Sequence, residues 1–232
     1  MIFGQQRRPS PLYIPSLAAY WPLQEASGNA IDAGSNGLNL TASASNPGTT
    51  TGPGTVRLPA ARSLSGSTQF FTRADTALLR ANATGFGVFA WVNLSSKAAD
   101  SYLMVKGNAN QLEYALSYAQ SLNRFYFSAH NGVATLVGEA SANALGSPST
   151  GVWYFLAGWF DSVTSKVYIS VNAQAVPDEG AAAGSPGGNV AAFSIGKYGS
   201  FGSPYATAAV AGAGFVGAAL TTAQVAQLYA YK

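Results

Sequence analysis

The chain has few residues that could perform catalysis, and most are isolated from one another. Its nine acidic residues are Glu25, Asp32, Asp75, Asp100, Glu113, Glu139, Asp161, Asp178 and Glu179. Hydrolysis of a glycosidic bond needs two carboxylates that flank the bond. Only Asp178 and Glu179 are adjacent, and in a strand they would point to opposite faces. We expect a flexible loop there, and no catalytic site.

The single histidine, His130, would have to act as the base of any Ser-His-Asp apparatus. It lies in the segment Ser128-Ala-His-Asn-Gly132, which predicts a solvent-facing turn after a strand. Zinc chemistry would need several histidine or cysteine ligands, and the chain contains no cysteine. The lack of cysteine also excludes a disulfide-stabilised module. We therefore expect the protein not to be an enzyme.

A glycine pattern near the C-terminus, Gly212-Ala-Gly-Phe-Val-Gly217, matches the dinucleotide-binding motif. That motif needs a strand, a helix that begins within it, and an acidic residue about 20 positions later. The chain ends at Lys232, and no such unit surrounds these glycines. We predict instead a strand whose glycines allow close packing in the core.

Composition limits the partners. Of 232 residues, 48% are hydrophobic and 9% are charged, compared with about 25% charged in an average soluble domain. The net charge is +3, and Arg7 and Arg8 are the only adjacent basic pair, so nucleic-acid binding is not expected. No apolar run approaches the roughly 20 residues of a membrane span, so membrane insertion is not expected either. A surface so poor in charge favours contact with neighbouring subunits.

Residues 1–16 contain Pro9, Pro11 and Pro15, which disfavour both a helix and a central strand. The segment lacks the apolar core of a secretory signal. We predict an extended proline-rich arm that docks on other proteins of an assembly or on copies of itself, with a disordered tail as the alternative. The predicted docking residues are Ile2, Phe3, Arg7, Arg8, Leu12, Tyr13 and Ile14.

The rest of the chain predicts many short strands. Gly85–Leu94 is apolar on both faces, and Lys166–Asn172 alternates between apolar and polar residues. Residues 180–191 predict a long loop. The only helix signal is the capping-box pair of Thr221 and Gln224. The predicted fold is all-β, a two-sheet antiparallel jelly-roll sandwich with one short C-terminal helix.

Several segments carry a family resemblance. The Leu17–Leu23 strand with the Ser35-Asn36-Gly37 turn at the start, and the strand, hairpin and helix pattern over 151–229, resemble the laminin G-like domain of the concanavalin A-like lectin/glucanase superfamily. The resemblance implies one domain over residues 17–232 and a fold that more often binds surfaces and glycans than performs chemistry. Glucanases of this superfamily carry Glu-x-Asp-x-x-Glu on one strand, and that run is absent here.

The resemblance also suggests one cofactor, calcium, because members of the superfamily often bind it at the domain rim. Asp32 and Asn36 form the best local oxygen cluster. Relatives often carry an acidic step in the final strand, and the matching stretch Ala211–Val216 has none. The alternative is that Asp32 caps the Ser-Asn-Gly turn through backbone hydrogen bonds. Apart from calcium, no cofactor is expected.

Sugar binding in this fold would use aromatic faces and amide donors. The predicted carbohydrate-binding residues are Tyr114, Tyr118, Tyr126, Tyr198, Tyr205, Asn108, Asn110 and Asn131. The tryptophans lie within apolar strands and are assigned to the core: Trp21, Trp91, Trp153 and Trp159.

These features lead to three functional hypotheses. The first is a non-enzymatic surface protein of a phage or virus particle, such as a capsid decoration protein, head fibre or tail adhesin, made in host cytoplasm and able to contact host glycans. The second is a carbohydrate-binding module of an extracellular bacterial protein. The third is a glycan hydrolase with unrecognised carboxylates, for which Glu113 and Asp161 are the residues to test.

Overall fold

The computed structural model describes residues 10–199 and 204–232, and this part of the chain is almost entirely β-structure. The strands are β1 Leu17–Trp21, β2 Thr41–Ala42, β3 Gly48–Thr51, β4 Ala60–Ser65, β5 Phe71–Arg73, β6 Gly85–Leu94, β7 Ser101–Asn108, β8 Gln111–Ala119, β9 Arg124–His130, β10 Leu136–Ser141, β11 Trp153–Asp161, β12 Lys166–Val171, β13 Asp178–Ala181, β14 Phe193–Ile195 and β15 Thr207–Val216. Helix α1 spans Thr222–Tyr229, and short 3-10 turns span Pro11–Tyr13 and Ala77–Leu79. Among the described residues no helix has the length and apolarity to cross a bilayer.

The strands form two antiparallel sheets that pack face to face. The eight-stranded sheet has the order β13-β12-β11-β6-β15-β4-β3, with β1 also paired to β15. The seven-stranded sheet has the order β10-β9-β8-β7-β14-β5-β2. The predicted all-β sandwich with one short C-terminal helix is confirmed.

The main core lies between the two sheets. On β6, Phe86, Val88 and Val92 enter this core, while Phe89 and Trp91 lie on the outer face of the eight-stranded sheet. That outer face is covered by Val225 and Leu228 of α1, so β6 is buried on both sides as its sequence predicted.

The tryptophan assignment is confirmed for three of the four residues. Trp21 lies in the main core. Trp91 and Trp159 are buried on the outer face of the eight-stranded sheet, in the same cluster as the apolar residues of α1. Trp153 is only partly buried.

Helix α1 begins as its sequence predicted. Thr221 accepts a hydrogen bond from the backbone N–H of Gln224, and the Gln224 side chain accepts one from the backbone of Thr221. This capping box satisfies backbone groups that the first helical turn would otherwise leave unpaired.

Residues 10–16 differ from the predicted extended arm. Residues 1–9, and with them Ile2, Phe3, Arg7 and Arg8, lie outside the described residues. Pro11–Tyr13 forms a 3-10 turn, and Ile14 is buried in the cluster beneath α1. Gln227 of that helix donates to the Ser10 carbonyl oxygen at 3.1 Å. The prediction of Ile14 as an assembly residue is therefore wrong, because its side chain packs against its own domain.

Leu12 and Tyr13 of the same segment are about half exposed. Their role in assembly stays a prediction.

The acidic pair Asp178–Glu179 was predicted to lie in a flexible loop, and this was wrong. Both residues belong to β13, which pairs with β12 at the edge of the eight-stranded sheet. Glu179 forms an ion pair with Lys166, and Asp178 accepts hydrogen bonds from the backbone of Ala144. Cross-strand charge pairing of this kind supports an edge strand whose sequence is otherwise weakly β-forming.

The glycine pattern at 212–217 lies in or beside β15, as predicted. A Cβ atom on Gly214 would come within 2.3 Å of Phe89 Cζ. Close packing in a sheet, not nucleotide binding, accounts for this glycine.

Candidate functional site

A depression of about 210 Å³ lies on the outer face of the seven-stranded sheet, opposite the main core. Its walls and floor come from β7, β8 and β9 and the turn before β7. The lining residues are Asp100, Tyr102, Leu112, Ala115, Ser117, Tyr118, Ala119, Tyr126, Ser128 and His130.

Strand register explains why a hollow forms here. Tyr102 on β7 lies opposite Ser117 on β8, and Ser117 lies opposite Tyr126 on β9. Two large rings thus flank a strand with small side chains, Ala115 and Ser117. Neighbouring strands are about 4.8 Å apart, so the two tyrosines start from backbones roughly 10 Å apart. The result is a slot between aromatic side chains with a hydroxyl on its floor.

The wall at Tyr102 is doubled by a second ring. Tyr198, from the segment after β14, stacks on Tyr102 with ring centroids 4.5 Å apart and an interplanar angle of 29°. Burial raises the pKa of Tyr102 to about 12, with smaller contributions from Tyr198 and Asp100. Its hydroxyl therefore stays protonated at physiological pH and can both donate and accept a hydrogen bond.

The opposite wall carries a hydrogen-bonded acid. The Tyr126 hydroxyl donates to the carboxylate of Glu139 on β10. Burial raises the pKa of Tyr126, and this hydrogen bond raises it further. At the other end of the depression, Asp100 accepts a hydrogen bond from the backbone N–H of Gln120 at 2.7 Å. A carboxylate has about four lone-pair sites, so both acids keep capacity for a ligand.

The prediction that His130 lies in a solvent-facing turn is wrong. It is the last residue of β9, half-buried in the lining, and not a solvent-facing turn residue. Its Nδ1 lies 3.4 Å from the Ala134 carbonyl oxygen and its Nε2 lies 3.1 Å from Ser128 Oγ. Burial lowers the pKa of the ring. A neutral ring would donate from Nδ1, because a carbonyl only accepts, and would accept at Nε2 from the serine.

Of the predicted carbohydrate-binding tyrosines, Tyr126 lines the depression and Tyr198 backs its wall. Tyr114 was predicted wrongly: it is fully buried in the main core and its hydroxyl donates to the Leu79 carbonyl oxygen at 2.9 Å. Tyr118 borders the depression but is only 2% exposed, and its hydroxyl donates to Asn123. Neither buried ring offers a face to a ligand.

The remaining predicted residues do not line the depression. Tyr205 stacks on Phe70, with centroids 6.0 Å apart. Asn108 and Asn131 stabilise their own turns, because Asn108 accepts from the Asn110 N–H and Asn131 accepts from the N–H groups at 133 and 135. A sugar-binding role for these residues stays a prediction.

Tyr102 is an aromatic residue of the candidate site that the sequence did not predict. A signal was present on the facing strand: Leu112, Tyr114, Leu116 and Tyr118 alternate with Glu113, Ala115 and Ser117. That two-residue period assigns Tyr114 and Tyr118 to the apolar face with Leu116, and leaves the serine face outward. Pairing Tyr102 with Ser117 requires the cross-strand register, which includes a bulge between residues 102 and 104.

Three other cavities are larger but lack exposed aromatic rings. One of about 560 Å³ is lined by residues 51–55, Pro59 and Lys232. A second, of about 440 Å³, has Leu12, Leu17 and Gly34 among its lining residues and no aromatic residue. Another, of about 380 Å³, lies near Asn36 and Leu78, where its only ring, Phe215, is buried. The depression on the seven-stranded sheet is therefore the better candidate for a site.

The predicted calcium residues do not fit a cation site. Asp32 Oδ1 accepts from the backbone N–H groups of Tyr20 and Gly34, and Oδ2 accepts from that of Leu38. The Asn36 amide donates to the Ala18 carbonyl oxygen. Within residues 10–199 and 204–232, no three acidic or histidine side chains converge on a point that could hold a metal. The turn-capping alternative for Asp32 is confirmed.

A family model described as "Concanavalin A-like lectin/glucanases superfamily", of the laminin G type, matches residues 65–226. The chain belongs to this superfamily. Comparison with curated protein sequences gives no match.

Solved structures of similar fold include binding domains. The binding domain of Paraclostridial Mosquitocidal Protein 1 has a TM-score of 0.68 and 10% identity, over 92% of this chain and 52% of that chain. The ligand binding domain of botulinum neurotoxin serotype D, in complex with N-acetylneuraminic acid, has a TM-score of 0.63 and 9% identity, over 92% and 50%. Trypanosoma rangeli sialidase in complex with sialic acid has a TM-score of 0.60 and 12% identity, over 94% and 33%.

These likenesses show a shared fold. The chain spans about half the length of the toxin domains and a third of the sialidase chain. Fold alone does not transfer a ligand, which has to be argued from the site.

Proposed function

We propose that this domain is a non-enzymatic glycan-binding module and that its ligand occupies the depression on the seven-stranded sheet. The observation that carries the proposal is the slot between Tyr102 and Tyr126, with Tyr198 stacked behind Tyr102 and Ser117 between the two walls. Aromatic rings, hydroxyls and one hydrogen-bonded carboxylate, that of Asp100, meet there around one open space.

A sugar ring matches this set of groups. Its C–H face packs on an aromatic ring, and its hydroxyls both donate and accept hydrogen bonds. Tyrosine supplies a flat apolar face with a polar tip, and Ser128, His130 and Asp100 supply additional polar atoms along the lining. Few polar groups at fixed positions on a rigid sheet are typical of a small-ligand site.

Among the described residues Asp100 is the one acid that lines the depression, whereas hydrolysis of a glycosidic bond needs two, and this supports a binding role. Glu113, one of the two residues named for a hydrolase, is fully buried and accepts hydrogen bonds from the backbone of Ala81 and Asn189. Asp161, the other, accepts from the backbone N–H of Val163 in a turn. Neither acid lines the depression.

The biological setting that we propose is the surface of a phage or virus particle, where the module would act as a decoration protein, fibre or adhesin. The charge-poor composition, suited to packing among neighbouring subunits, supports this setting. Residues 1–9, with their apolar and basic side chains, would then contact other virion proteins. The alternative is a carbohydrate-binding module of an extracellular bacterial protein.

Density-gradient fractionation of native material separates the two settings. We expect the protein to sediment with nucleic-acid-containing particles, and deletion of residues 1–9 to release it. Recovery only as free protein in culture medium would favour the bacterial module.

A glycan array tests the binding function itself. We expect wild-type protein to bind a defined subset of glycans, and Tyr102→Ala and Tyr126→Ala to lose that binding. Tyr168→Ala is the matched control, because it also removes a partly buried, stacked tyrosine but lies on the eight-stranded sheet, outside the depression. Equal loss in the control variant, or wild-type binding to no glycan, would contradict the proposal.

A further inference from the structure

The charges around the depression are unbalanced. Asp100 lies in the lining, and Glu139 is held at the opposite wall by the Tyr126 hydroxyl. Within residues 10–199 and 204–232, no lysine or arginine lines the depression. A ligand in the depression would therefore contact the Asp100 carboxylate and lie near a second one, Glu139, which is bonded to the Tyr126 hydroxyl.

Three basic side chains on or near these strands bond to other parts of the protein. Arg124 shares the outer face of β9 with Tyr126, two residues away, and its Nη1 donates to the Asn123 carbonyl oxygen. Lys97 donates to Asn123 and Ser147 at the same end of the sheet. Lys106, although on β7, is fully buried among Asp75, Glu113 and the loop at 189–191.

The imidazole in the lining does not restore the balance. Burial lowers the pKa of His130, so its ring is neutral at physiological pH. The nearby Glu139 carboxylate opposes this lowering but is a smaller cause than burial.

We propose that the depression selects uncharged sugars, hexoses and N-acetylhexosamines, and rejects sugars that carry a carboxylate. This inference rests on the proposed glycan-binding function and deepens it. A carboxylate such as that of N-acetylneuraminic acid would lose its water beside Asp100 and Glu139 and gain no cation in return. The ligand class would then differ from the sialic acids present in two of the similar solved structures.

Matched oligosaccharides test this selectivity. Each pair consists of one glycan with and without a terminal N-acetylneuraminic acid, measured by calorimetry or biolayer interferometry. We expect the sialylated member to bind at least ten times more weakly. This ratio of affinities should fall as the salt concentration is raised, because screening weakens repulsion between partly exposed charges.

Two isosteric variants identify the charges responsible. Asp100→Asn and Glu139→Gln keep the hydrogen-bond acceptors that Gln120 and Tyr126 use but remove the negative charge. We expect each variant to lower the ratio of the affinity for the neutral glycan to the affinity for the sialylated glycan. The double variant should lower this ratio most. Arg124→Ala is the control and should not narrow it.

The outcomes separate this inference from the function on which it rests. Sialylated glycans that bind as well as or better than their neutral partners, or a ratio unchanged in folded Asp100→Asn/Glu139→Gln protein, would overturn the selectivity while leaving glycan binding intact. Binding to neither member of any pair would overturn the proposed function as well. The salt dependence of the wild type gives the same reading if a variant does not fold.

Discussion

Strands β7 and β8 carry two polar regions of opposite character. One is the depression; the other is the buried ionic cluster of Lys106, Glu113, Asp75 and Arg80. Lys106 Nζ lies 2.8 Å from Asp75 Oδ1 and 3.1 Å from Glu113 Oε1, and neither Lys106 nor Glu113 is exposed. Arg80 pairs with the second oxygen of Asp75.

In the buried ionic cluster the charged side chains bond to other groups of the protein. Glu113 accepts from the backbone of Ala81 and Asn189, and Lys106 donates to the Ala191 carbonyl oxygen, so the cluster fastens two loops to the sheet. In the depression, similar groups surround an open space. Polar residues of this sheet thus stabilise the fold where they bond to other groups of the protein. Where they face an open space, they are free to bond to a ligand.

The largest expected effect is on the buried ionic cluster. Lys106→Met should lower the free energy of unfolding by about 3–5 kcal/mol, because it leaves buried carboxylates without their cation. Urea denaturation measures this loss. Glycan affinity at temperatures where the variant is folded should stay within about twofold.

Lys97→Met is the control for this change. Its ammonium bonds to Asn123 and Ser147 at the surface, so removal should alter stability by about 0.5 kcal/mol or less. Equal losses in the two variants would mean that burial does not distinguish Lys106.

The second-largest effect is in the depression, where a substitution should weaken binding more than it lowers stability. Tyr102→Ala should weaken glycan binding at least tenfold, which corresponds to about 1.4 kcal/mol. Its cost in stability should be only about 1 kcal/mol, since the ring is partly exposed and loses one stacking partner, Tyr198. Calorimetric titration beside thermal melts measures both quantities. Unchanged affinity would remove the depression from the binding account.

Low pH should destabilise the buried ionic cluster by protonating Asp75. Its hydrogen bond from Arg80 holds the pKa of this carboxyl at about 2. Because the folded pKa lies below the unfolded one, the stabilisation is present above about pH 4 and is lost as pH falls toward 2. Glu113 acts in the opposite sense, since burial raises its pKa.

Comparison with Asp75→Asn isolates that contribution. Wild-type protein should lose more stability between about pH 4 and pH 2 than the variant does. Parallel stability profiles in denaturant melts would contradict the assigned role of the Arg80–Asp75 pair.

The smallest effect concerns His130. Burial lowers its pKa in the folded protein, so the unfolded chain binds the proton more readily. Stability should therefore decline as pH falls below about 6.5, and His130→Gln should decline less over that range. Thermal melts from pH 7.5 to pH 5 measure this. A steeper decline in the variant would show that protonated His130 is stabilised in the folded state.

The sequence was sufficient for much of the fold. Period-two alternation identified β12, two-sided apolarity identified β6, and the Thr221–Gln224 pair identified α1. The weakest strand, β13, was missed because an acidic and glycine-rich segment gains its pairing from β12 and not from its own propensity.

The candidate site was only partly predictable. A tyrosine on an apolar strand has the same composition signal whether its ring faces the core, as Tyr114 does, or the solvent side, as Tyr126 does. Alternation along one strand separates these cases. Bringing Tyr102, Ser117 and Tyr126 into one row also needs the register of three strands and the bulge in β7, which depend on tertiary pairing.

The most direct test of the central claim is an NMR titration of the wild-type domain with a neutral oligosaccharide that it binds on the array. Our account predicts that amide shift changes concentrate on the outer-face positions of β7, β8 and β9, at and around Asp100, Tyr102, Ser117, Tyr126 and Ser128. Changes concentrated instead at the cavity near Asn36 and Leu78, with those strands unaffected, would contradict it.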